Sequence, residues 1–103
     1  MENLLVFKSL SNETRNQILQ WLKEPEKHFG VQCDLPSDTD FKNGVCVGDI
    51  QQKSGLAQSV ISSYLNTMKN AGLLESKRIG QWTYYRRNEE TIQQFKDYVL
   101  KNL

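Results

Sequence analysis

The stretch between Gly55 and Gly72 constrains this 103-residue chain more than any other. From Gln58 to Ala71 the apolar residues Ile61, Leu65 and Met68 recur at i, i+4 and i+7, and Ala71 extends the same face. That spacing predicts a helix buried along one side. The other side carries Gln58, Ser59, Ser62, Ser63, Asn66 and Lys69, groups that mostly donate and accept hydrogen bonds without net charge. Surface helices are usually laced with Glu and Lys instead. Gly72 supplies a left-handed C-cap. Upstream, a helix is expected from Val47 to Ser54, stopped by Gly55, so that Gly55-Leu56-Ala57 joins two helices by a tight turn. The unit over about 47–71 therefore reads as a helix-turn-helix.

The flanking sequence supplies the rest of one domain, 1–103, since a second core would lack apolar residues to fill it. Leu4, Leu5, Phe7 and Leu10 form a short helical stripe, and Ser11 is the expected N-cap of a second helix ending before Pro25. Residues 24–44 hold both prolines and no sustained periodicity, and are expected to be a long loop. Within 73–87, two strands, Leu73 to Ile79 and Trp82 to Arg87, flank Gly80-Gln81, a pair that suits a II′ hairpin turn. A last helix from Glu89 to Leu103 carries Ile92, Phe95, Val99 and Leu103 in one stripe. The fold class is mainly α with a small β-hairpin wing, five helices and two strands.

Net charge is only +1, but it is unevenly spread. Residues 1–50 carry −3 and residues 51–103 carry +4, with Lys53, Lys69, Lys77, Arg78, Arg86 and Arg87 set against Glu75 alone over 53–87. Such a block suits contact with phosphates. No apolar run approaches the ~18 residues of a membrane span, and no basic flank or cleavage signal opens the chain, so a cytoplasmic protein is expected.

Three stretches, in this order, resemble the ArsR/SmtB family of winged helix-turn-helix repressors. They are Phe7-Lys8-Ser9-Leu10-Ser11-Asn12-Glu13-Thr14-Arg15, the unit from Gly55-Leu56-Ala57-Gln58 through Ala71-Gly72-Leu73, and Arg78-Ile79-Gly80-Gln81-Trp82-Thr83-Tyr84-Tyr85. The resemblance implies a homodimer on double-stranded DNA with an inverted-repeat operator. Gln58, Ser59, Ser62, Ser63, Asn66 and Lys69 would face the major groove, and Lys77, Arg78, Gln81 and Arg86 would contact DNA from the wing. First and last helices would pair through Leu4, Leu5, Phe7, Ile92, Phe95, Val99 and Leu103. Ala57 stands where the family usually has Ser or Thr, and alanine cannot cap a helix.

Many members of that family bind metal, but neither of its sites is intact here. Cys46 matches the first cysteine of a Cys-x-Cys pair and Gly48 replaces the second; Asp97 lies on the last helix, where histidine is absent. The only histidine, His28, has no partner at ligand spacing. No metal or cofactor is expected, and no catalytic constellation is present, so the chain reads as a non-enzyme. Two alternatives stay open: a redox- or small-molecule-responsive repressor using Cys33 and Cys46, and a winged-helix module that binds protein rather than DNA.

Overall fold

The computed structural model describes residues 2–30 and 41–103. Among them run helices α1 (Asn3–Leu10), α2 (Glu13–Lys23) and α3 (Pro25–Phe29), strand β1 (Val45–Cys46), helices α4 (Val47–Ser54) and α5 (Gln58–Asn70), strands β2 (Leu74–Ile79) and β3 (Trp82–Arg87), and helix α6 (Glu89–Asn102). The expected helix-turn-helix, hairpin and terminal helices are all present. One helix and one strand are additional, giving six helices and three strands among the described residues rather than five and two.

Both additions arise in or beside the stretch expected to be a loop. Pro25 ends α2 and also opens α3, because its fixed φ and missing N–H suit a first helical position. Five residues are too few for a periodicity to be read. β1 is shorter still and exists only through pairing with β3, Val45 against Tyr85 and Cys46 against Tyr84. The sheet is antiparallel in the order β1-β3-β2.

Caps fall where side-chain chemistry places them, with one shift. Asn12, not Ser11, caps α2, its Oδ1 accepting from the Arg15 N–H at 2.9 Å. Ser11 instead closes α1, its hydroxyl donating to the Lys8 carbonyl at 2.7 Å. Asn88 caps α6 by accepting from the Thr91 N–H. At the end of α5, Gly72 adopts φ +85°. The Gly72 N–H donates to the Lys69 carbonyl and the Leu73 N–H to that of Met68, the paired bonds of a Schellman ending. Gly80 at φ +64° opens the hairpin turn, while Gln81 keeps a negative φ, as a II′ turn requires.

Two apolar clusters hold these elements. The larger gathers Ile18 and Leu22 from α2, Val45, Ile50 from α4, Ile61, Leu65 and Met68 from α5, and Leu74 from β2. The smaller gathers Val6 from α1, Ala71, Leu73 and Ile92 from α6. Leu19 packs against both.

Candidate nucleic-acid interface

The larger cluster fixes which face of α5 looks outward. Ile61, Leu65 and Met68 are fully buried, so Gln58, Ser59, Ser62, Ser63, Asn66 and Lys69 are all exposed, along one continuous surface. Val60 joins them at 37% exposure. Its apolar side chain stands in the first turn beside Gln58 and Ser59, a position read from sequence as neither core nor contact.

The N-terminus of α5 differs from those of α2 and α6. Both of those begin with an Asn cap and carry acidic residues in the first turn, Glu13 in one and Glu89 and Glu90 in the other. At α5 the cap position is Ala57, which supplies no side-chain cap, and the first turn holds no acidic residue. Its positive dipole end is therefore not offset by the chain's own carboxylates, and it suits an approaching phosphate.

In the wing the expected cations separate. Lys77, Arg78 and Gln81 are exposed. Arg78 Nε donates to the Gly80 carbonyl at 3.3 Å, which holds the side chain along the hairpin turn. Arg86 is engaged differently from expectation. The register sets it directly opposite Glu75, to which its Nε donates at 2.6 Å. Its guanidinium also lies 4.1 Å from the centre of the Phe41 ring, and Nη1 donates to the Lys42 carbonyl at 3.2 Å. Arg86 thus ties residues 41–42 to the wing. Arg87, whose side chain is only 7% exposed, donates from Nε and Nη2 to the two carboxylate oxygens of Glu89. Trp82 adds an exposed indole at the start of β3. On the inner part of the sheet, burial pushes the Tyr85 hydroxyl above the usual phenol range.

The stripe expected to meet a second chain is also divided. Ile92 is 6% exposed and belongs to the chain's own smaller cluster. Phe95 packs edge-on against Phe7, with ring centroids 5.0 Å apart. Leu4 remains 66% exposed, Leu100 and Leu103 84%, and Leu5 and Phe7 are exposed with them. Leu100 lies off the stripe formed by Ile92, Phe95, Val99 and Leu103.

Cys46 is half-buried at the junction of β1 and α4, and a Cβ placed on Gly48 would lie 3.9 Å from its Sγ. Cys33 lies outside the described residues. His28 stands on α3 rather than in a loop, and Asp97 on α6 accepts from Gln93 Nε2. Among the described residues no three His, Cys, Asp or Glu side chains are gathered as a metal ion would need. None of the described helices is long and apolar enough to cross a membrane.

A helix pair presenting a polar, uncapped second helix beside an antiparallel wing defines a winged helix-turn-helix domain. Comparison with known proteins narrows the class. No family model matches the chain. It is 48% identical over 99 residues, covering 96% of both chains, to the uncharacterized HTH-type transcriptional regulator YbzH of Bacillus subtilis. It is 28% identical over 89 residues to the putative arsenical resistance operon repressor ArsR2 of Halobacterium salinarum, covering 86% of this chain and 61% of that one. The crystal structure of an ArsR family transcriptional regulator matches with a TM-score of 0.69 at 11% identity, covering 95% of this chain and 82% of the other. The solution structure of a homodimeric winged helix-turn-helix domain from Mycobacterium bovis, described as a possible ArsR-family regulator, matches at 0.65 with 26% identity, covering 94% and 74%. The chain belongs to the ArsR family of DNA-binding transcriptional regulators.

Proposed function

We propose that the protein represses transcription in the cytoplasm as a homodimer bound to an inverted-repeat operator, without metal and without catalytic activity. The observation that carries this reading is the exposed polar face of α5, free of acidic residues, on a chain whose terminal helices leave leucines in water. Gln58 is suited to bidentate pairing with adenine, and Ser59, Ser62, Ser63 and Asn66 to base edges or phosphates. Lys69, Lys77, Arg78 and Gln81 supply contacts to the backbone. Arg86 leaves this contact set, because Glu75, Phe41 and Lys42 already engage it. Leu4, Leu5, Phe7, Leu100 and Leu103 form the exposed part of the dimer face, with Phe95 and Val99 beside them and Ile92 excluded. The homodimeric Mycobacterium bovis domain supports the same assembly for this chain.

Selection of bound duplexes from a random pool, with sedimentation of the free protein, tests both halves of the proposal. The expected result is a dimer enriching a two-fold symmetric site whose half-sites lie about one helical turn, ~10 bp, apart or a multiple of it. Arg78→Ala should then weaken every duplex alike and lower the salt slope by about one. A monomer enriching no sequence, retained by protein partners instead, would replace this reading with that of a protein-binding module.

A further inference from the structure

The larger cluster and the smaller one are joined by more than the end of α5. Arg15, in the first turn of α2, reaches back to the C-terminus of α1, where Nε donates to the Ser9 carbonyl at 2.8 Å and Nη2 to the Lys8 carbonyl at 3.3 Å. The guanidinium carbon of the same side chain lies 5.1 Å from the ring centre of Tyr64, on α5. Asn12, which caps α2 through Oδ1, donates from Nδ2 to the Tyr64 hydroxyl at 3.4 Å. One arginine thus holds the last carbonyls of an α1 that exposes leucines and the middle of the helix that exposes the polar face.

We infer that Arg15 and Tyr64 are positioning residues that fix the tilt of the recognition helix against the dimer face, and so set the half-site spacing the protein accepts. This rests on the proposed dimer bound to an inverted repeat. The C-terminal end of α5 is already anchored to the smaller cluster through Ala71 and Leu73. Ile61, Leu65 and Met68 bind α5 to the larger cluster and not to α1, so on the dimer-face side this single anchor leaves the larger cluster, α5 included, able to pivot about it. Tyr64 stands seven residues before Ala71, about 10 Å along the axis at 1.5 Å per residue. Two anchors that far apart define a direction. Arginine suits the task and lysine does not, because a planar guanidinium can donate in its plane to two carbonyls while offering its face to a ring. Swinging of α5 in both protomers would change the separation of the base pairs they reach. Rigidity at Arg15–Tyr64 thus becomes selectivity for spacing.

The test uses the full chain and synthetic duplexes carrying the selected half-sites at separations varied in single base-pair steps. Wild type should prefer one separation. Arg15→Lys and Tyr64→Leu should each reduce that preference over the neighbouring separations by about two- to fivefold, the factor one cation–π contact carries. Base preferences within the half-site and the dimer mass should stay as they are. Tyr64→Phe, which keeps the ring and loses only the hydroxyl, should retain most of the preference. A merely structural role predicts weaker binding at every separation alike, and that result would overturn the proposal, as would unchanged preference in both Arg15→Lys and Tyr64→Leu. A wild type indifferent to spacing would overturn the operator reading itself, and the proposal with it.

Discussion

The part of the molecule that presents α5 and the part formed by α1 and α6 are built to different standards. Eight buried apolar side chains from α2, β1, α4, α5 and β2 close the first. Four close the second, and its outer surface keeps Leu4, Leu5, Leu100 and Leu103 exposed. At roughly 1.5–3 kcal/mol for each large apolar side chain buried, the first region holds most of the apolar stabilisation of the single chain. The second is completed, in the proposed assembly, by another copy of itself. The region closed by the larger core is the one that presents hydrogen-bonding groups outward, where precision of placement matters most. The loosely closed region is the one where a partner supplies the missing contacts.

The sharpest way to break the comparison is a cavity in the larger cluster. Leu65→Ala should cost about 2–5 kcal/mol of folding free energy, read as a fall in the midpoint of urea or thermal unfolding. A loss below about 1 kcal/mol would mean that this core is not the one that holds the chain together. Charge on the other region should act on assembly and leave the fold alone. Leu5→Glu combined with Leu100→Glu should give monomers by sedimentation with unchanged helical circular dichroism, and weaken operator binding by about 10²-fold as the second half-site contact is lost. Global unfolding of that variant would show that the two regions are not separable.

Smaller effects probe the surface of α5 and the sheet beneath it. Gln58→Ala should cost about 1–3 kcal/mol of discrimination between the preferred base and its alternatives, with little change in stability. Ala57→Ser should supply the cap that α2 and α6 possess and stabilise the protein by about 0.5–1 kcal/mol in thermal unfolding. Its effect on DNA affinity measures whether the uncapped terminus serves phosphate contact. Least of all, Tyr85 should make the fold sensitive to alkali. Burial raises its hydroxyl in the folded chain, so the unfolded chain loses that proton first and stability falls as the pH rises through the phenol range of about 10. Tyr85→Phe should flatten this decline between pH 9 and 11; an identical slope in both proteins would assign it to other groups.

Local spacing determined much of this molecule without help from the fold. The two faces of α5, its glycine ending, the II′ hairpin turn and the separation of cations from carboxylates along the chain are properties of residues within a few positions of one another. They survive any tertiary context because helix and hairpin geometry repeats over three or four residues. What lies across the chain did not follow from spacing. β1 exists only because β3 is there to pair with it, and Arg86 faces Glu75 because the strand register sets them opposite. Asn12 meets Tyr64 across 52 residues, a contact no periodicity reports. The stripe on α6 is divided by the chain itself, Ile92 buried and Leu103 exposed. α1, with eight residues, is about 12 Å long and α6, with fourteen, about 21 Å, so α1 covers Ile92 and Phe95 and leaves the end of α6 in water. Sequence periodicity names the face of a helix that must be covered; only the lengths and placement of its neighbours decide how much of it the chain covers itself.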